Sequence, residues 1–216
     1  MSKIPSIYFQ PSIYKAGKLM CALPTNGDAD LGFTRAGTAT RVNKLGLIET
    51  VATGVPRLDY TDGGCPALLL EPQSTNLITF SEAFNSYFIS KTNTVITDLY
   101  GVSPMGVMNS SRIFFSAPSS YISKSIERTA SVYLKGIEGQ TVRFGLGTTV
   151  GQGIIITFTG NWQRVSQTNT SETVLFFSNV GGQTATDFEV FGLQLEELSS
   201  STSYIPTFGT TVTRIA

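Results

Sequence analysis

From Ser131 onward the chain runs through SVYLKG, TVRFGLG, GIIITFTG, NWQRVSQT, TVLFFSNV and DFEVFGLQLE. These stretches are strand-length, rich in β-branched and aromatic residues, and each is closed by Gly, Asn or Ser. No segment sustains a helical period. SEAFNSYF, Ser81 to Phe88, has room for one helical turn, with Ser81 placed to cap it. Evenly spaced strands without helices predict an all-β fold, an antiparallel jelly-roll-like sandwich over roughly residues 75–205.

Upstream, the pattern is broken. Pro5, Pro11, Pro24 and the NGD turn at Asn26–Asp28 interrupt every period, so residues 1–30 read as an irregular, extended N-terminal arm. Ile4, Ile7, Tyr8, Phe9, Ile13 and Tyr14 make that arm too apolar to be a free tail. It docks either on a partner or on its own domain, and the residues leave both open. Residues 31–72 form a short-strand connector made of FTRAGTATRVN, GLIETVATG and VPRLDY, followed by PALLLEP, an apolar run that reads as a buried strand. Residues 73–216 are then the sandwich, finished by a C-terminal return strand. The echo of TATRV in TVTRI predicts that this return strand pairs near TATRV, bringing Arg41 and Arg214 together with Asp59 as a shared acidic partner.

Composition limits the chemistry. The 15 basic and 15 acidic residues leave no cationic excess for phosphates, which argues against nucleic acid and acidic membrane as partners. Charged residues make up 14% of the chain, against roughly 25% in an average soluble protein. That low-charge surface suits packing against copies or partners. There is no histidine, which removes Ser-His-Asp and Cys-His sites and the ordinary zinc enzymes. Cys21 and Cys65 are too few for a structural zinc site and read as free thiols. GLGTTVGQG, Gly145 to Gly153, fits no phosphate-loop consensus and reads as a hairpin connection. A carboxylate-only glycosidase would need two paired acids. Nothing in the spacing pairs Asp59, Glu71, Glu127, Asp187, Glu189, Glu196 or Glu197. The expectation is a non-enzyme without a cofactor; a structural calcium leaves too little trace to read. The opening MSKIPSIYFQ has no apolar core of signal-peptide length, so synthesis in a cytoplasm is expected.

Sandwiches of this type bind sugars by stacking a ring face on an exposed aromatic side chain. The candidates for such a platform are Trp162, the single tryptophan, together with Tyr87 and Tyr121; Phe88 and Tyr100 lie in similarly polar stretches. Packing is the competing role for each ring.

Three blocks carry a family resemblance. FTRAGTATRVNKLGLIETVATGVPRLDY, then ALLLEPQSTNLITFSEAF, then GNWQRVSQT with VFGLQLEELSSSTSYIPTFGTTVTRIA, in that order, resemble bacteriophage and prophage fibre, spike and head-decoration proteins whose jelly roll is similar to carbohydrate-binding modules. The resemblance implies a virion structural role, as a head fibre, capsid decoration or tail fibre component. It also implies a homo-oligomer, most simply a trimer, anchored to capsid or tail proteins through Ile4, Ile7, Tyr8, Phe9, Ile13 and Tyr14. Surface glycan binding for host attachment is the alternative function.

Overall fold

The computed structural model of the chain describes residues 8–216 other than 24, 29, 89 and 150, with side chains outside 8–13, 23, 123–128 and 169–173. It is an all-β antiparallel structure, and the jelly-roll-like sandwich expected from the strand spacing is present. The chain divides into two compact units, Met1–Gln73 with Arg214–Ala216, and Ser74–Thr213.

In the first unit, β1 (Tyr8–Lys15), β2 (Lys18–Leu23) and β3 (Leu31–Gly32) form an antiparallel meander. The irregular backbone expected of residues 1–30 is therefore paired where it is described. The register between β1 and β2 is interrupted between Phe9 and Tyr14, and Pro11 lies in that gap, where a missing N–H costs the ladder nothing. β4 (Ala39–Val42) pairs with β5 (Ile48–Val51), and β6 (Leu58–Asp59) with β7 (Ala67–Leu68). PALLLEP is not the buried strand its composition predicts. Only Ala67 and Leu68 pair, and Leu70 is 73% exposed, because a two-residue ladder offers no layer to cover it.

Buried arginines hold this unit together. Arg35 donates to the carbonyls of Gly37, Val51, Ala52 and Val55. Arg57 and Arg214 both reach Glu71 Oε2, at 2.6 and 2.9 Å. The second unit opens with β8 (Ser74–Asn76) and the single helical turn α1 (Phe84–Tyr87). Ser81 does not cap that turn: Ala83 occupies the N-cap, and the Ser81 hydroxyl bonds the Tyr204 hydroxyl at 2.7 Å and accepts from Thr207 N.

The remaining strands are β9 (Ser90–Thr92), β10 (Thr94–Val102), β11 (Met108–Phe115), β12 (Tyr121–Gly136), β13 (Thr141–Gly147), β14 (Ile154–Thr157), β15 (Gln163–Ser178), β16 (Asp187–Glu196) and β17 (Val212–Arg214). Their order is β10-β11-β16-β12-β15-β13-β14, with β9 beside β12. GLGTTVGQG is the β13–β14 hairpin. NWQRVSQT and TVLFFSNV, read separately in the sequence, belong to one 16-residue strand, β15. The polar residues between them are absorbed as a bulge, since Arg128 faces Asn169 while Ile126 faces Thr173.

The long ribbon of β12 and β15 supplies both layers. Its one half pairs with β9 and β13, its other half with β16. Between the layers, Phe177 meets Phe144 at 5.1 Å and Phe188 at 6.3 Å between ring centroids, and Phe188 also meets Phe158 and Phe115. Alternation puts Ile113, Leu134, Val132 and Val190 into this core and their strand neighbours on the outer face.

β17 pairs with β8, not with TATRV. Arg41 is bound by Glu49 at 2.7 Å, Arg214 by Glu71, and Asp59 accepts from the N–H groups of Val42 and Thr61. The T-x-T-R likeness reflects two edge positions with separate acidic partners.

Candidate functional site

The outer face of the β10-β11-β16-β12-β15 layer collects the charged and aromatic residues left over from the core. Register fixes the rows. Thr97 opposes Arg112, Arg112 opposes Glu189, and Glu189 opposes Lys135. Leu134 opposes Gln163, which sets Lys135 beside Trp162. The adjacent row runs Phe191, Tyr133, Arg164.

Each charge is held by a neighbour. Arg112 donates to both Asp187 oxygens, Nε at 2.7 Å and Nη2 at 2.5 Å, and its guanidinium lies 5.2 Å from the ring centroids of both Tyr100 and Phe114. Those hydrogen bonds raise Arg112 further above its ordinary value, against a smaller effect of burial, so the cation is fixed. Glu189 accepts from Ser110 Oγ at 2.7 Å and, more loosely, from Lys135 Nζ at 3.4 Å. A Cβ on Gly101 would lie 2.1 Å from Glu189 Oε2, so only glycine lets this carboxylate lie against β10. The register shift between Thr97 and Gly101, with Leu99 at φ 56°, puts Tyr100 against Arg112.

Trp162 is half-buried. Its Nε1–H donates to Val102 O at 3.1 Å, and Lys135 Nζ lies 5.8 Å from its ring centroid. Arg164 lies 5.3 Å from the Tyr133 ring centroid and donates to Ser131 Oγ. At the far end of the layer the C-terminal segment covers the sheet: Tyr204 packs on Phe191 at 5.2 Å. There Gln194 and Asn76 bond the backbone of residues 202–205, and buried Glu196 accepts from Ser74 and Thr202. The open part of the face is thus the end bearing Trp162, Lys135, Glu189, Arg112 and Tyr100.

The three rings expected as stacking platforms are not brought together. Trp162 stands on the open face. Tyr87 is 4% exposed, packed edge-on against Phe88 at 5.3 Å, with its hydroxyl pushed up to about 12 by burial; it has no free ring face, and Phe88 is likewise core. Tyr121 is half-buried in β12, opposite Thr92 and Ser178 in the other layer. Met108 stands 56% exposed on β11. Of the residues expected to anchor the arm, Ile4 and Ile7 lie outside the described residues, and Tyr8, Phe9 and Ile13 are described as β1 backbone only. Tyr14 donates its hydroxyl to Gly54 O at 2.8 Å, a contact with its own unit. Cys21 and Cys65 are not joined in a disulfide.

Arg112, Lys135, Tyr133 and Arg164 were not singled out from the sequence. Their signal is an i, i+2 pairing of a charged and an aromatic residue that occurs three times, at Arg112/Phe114, Tyr133/Lys135 and Trp162/Arg164, beside the acidic pair Asp187/Glu189. Only the strand order shows that the pairs adjoin.

The sequence matches no family model and no curated protein. Among solved structures it is similar to CsCBM6-3 from Clostridium stercorarium, solved in complex with cellobiose, at 16% identity over 53% of this chain and 90% of that one, TM-score 0.35. CBM35 from Paenibacillus barcinonensis is similar at 20% identity over 51% and 92%, TM-score 0.32. Superposition at this level carries no argument about a ligand, and the site rests on its own geometry: an open sheet face of fixed ion pairs interleaved with aromatic rings.

Proposed function

We propose that Ser74–Thr213 is a non-catalytic glycan-binding module whose binding surface is the face around Trp162, Lys135, Glu189, Arg112 and Tyr100. The observation that carries this is the interleaving itself. A sugar ring presents an apolar face and a rim of hydroxyls, and this surface offers ring faces beside charged groups whose positions are already fixed. Preorganised donors and acceptors lose little freedom on binding. Asp187 has both oxygens on Arg112, and Glu189 is divided between Ser110 and Lys135. Neither carboxylate is left as a nucleophile beside a proton-donating partner acid, which favours binding over hydrolysis.

A glycan array followed by titration calorimetry tests this. Trp162→Ala should weaken the best glycan at least fivefold, since an aromatic contact contributes on the order of 1 kcal/mol. The bound oligosaccharide should be recovered at full length. Binding unaffected by the substitution, or a shortened product, would overturn the assignment. A virion setting for such a module, with the homo-oligomer it implies, rests on the sequence resemblance alone.

A further inference from the structure

We infer that the glycan is acidic, a sugar carrying a carboxylate; this rests on the glycan-binding reading and specifies its ligand. The rows hold three cations, Arg112, Lys135 and Arg164, against two carboxylates, Asp187 and Glu189. Arg112 and Asp187 satisfy each other. Lys135 holds Glu189 at only 3.4 Å and is 39% exposed in its side chain. Arg164 is the cation in excess. Among the described residues its hydrogen-bond partner is the neutral Ser131 Oγ at 3.0 Å, and its Nε is buried without one.

The excess charge stands where a sugar would sit. Arg164 follows Trp162 by two residues on the same side of the layer, a spacing of about 7 Å along a strand. That is comparable to one sugar ring with its exocyclic group. Lys135 adds a second positive charge at the Trp162 ring. A ring stacked on Trp162 would point its exocyclic carboxylate at a guanidinium whose planar fork matches two carboxylate oxygens. A neutral hexose would leave that charge uncompensated.

The test compares oligosaccharides identical except in charge: oligogalacturonate and its methyl ester, oligomannuronate and mannan oligosaccharide, with dextran sulfate as a second anion. Calorimetry on the full chain should show at least one carboxylated oligomer binding tenfold or more tighter than its neutral counterpart. That advantage should shrink severalfold as NaCl rises from about 0.05 to 0.3 M. R164Q should narrow the acid-to-neutral ratio to under threefold, and R164K should retain most of it. Thermal melts of both variants report folding, while the salt dependence needs no variant. Equal or tighter binding of the neutral forms overturns the charge inference and leaves glycan binding standing. Binding of dextran sulfate alone overturns the carboxylate. No binding to any sugar removes both.

Discussion

Glu71→Gln tests how the first unit is held together. Glu71 Oε2 is shared by Arg57 at 2.6 Å and Arg214 at 2.9 Å, and the arginine side chains are only 4% and 2% exposed. Removing one partner of a buried ion pair costs about 3–5 kcal/mol, because the remaining charge stays desolvated. Two cations lose a carboxylate contact here, which argues for the upper figure. Against that, Glu71 is 15% exposed, and Arg57 and Arg214 keep the carbonyls of Thr40 and Pro72. A loss of about 3 kcal/mol follows from that balance. For a unit of this size it lowers the melting temperature by about 12 °C or more. Calorimetry and urea melts at neutral pH measure it. Glu49→Gln is the control: Arg41 and Glu49 are 24% and 37% exposed, so its loss should stay under about 1 kcal/mol. If E71Q costs no more than E49Q, the buried carboxylate is not what compensates the arginines.

Alkaline titration should find two late tyrosines. Burial raises Tyr87 to about 12 and, with the nearby Glu82 charge, Tyr204 well above its ordinary value. An unfolded tyrosine ionises near 10, so the folded state holds the proton longer; this stability is complete below about pH 10 and falls as pH rises toward about 12 and beyond. Absorbance at the tyrosinate band, followed with circular dichroism, should show the last tyrosines ionising together with unfolding; their ionisation in a still-folded protein would contradict the burial. Gly145→Ala should cost about 2–4 kcal/mol in urea melts. Gly145 has φ +142°, and a Cβ there would fall 1.5 Å from Gln167 Oε1, displacing the bond that Leu146 N donates to it. A loss under about 1 kcal/mol would mean that strand and side chain rearrange freely.

The fold was legible where the signal is local. Period-two runs such as DFEVFGLQLE and TVRFGLG announce strands because alternate side chains must face opposite ways. The continuous apolar run PALLLEP misled because composition records hydrophobicity but not whether a second layer exists to cover it. Ser81 misled for a similar reason: a cap-like residue before a short turn is bonded instead by Tyr204 and Thr207, from 123 and 126 residues away. The candidate site was half-legible. Trp162 stood out by type, whereas Tyr87 carried the same aromatic signal and went to the core.

By itself the sequence determined an antiparallel β protein without histidine chemistry and with zero formal charge, since these depend on residue type and short-range period. Tertiary structure alone decided which strands are neighbours. That choice aligned Arg112, Glu189, Lys135 and Trp162 into one row, and it joined Arg57, Glu71 and Arg214 around one carboxylate. Strand period fixes the face a side chain takes, but the partner opposite it is selected by burial of the whole layer, which no local stretch encodes.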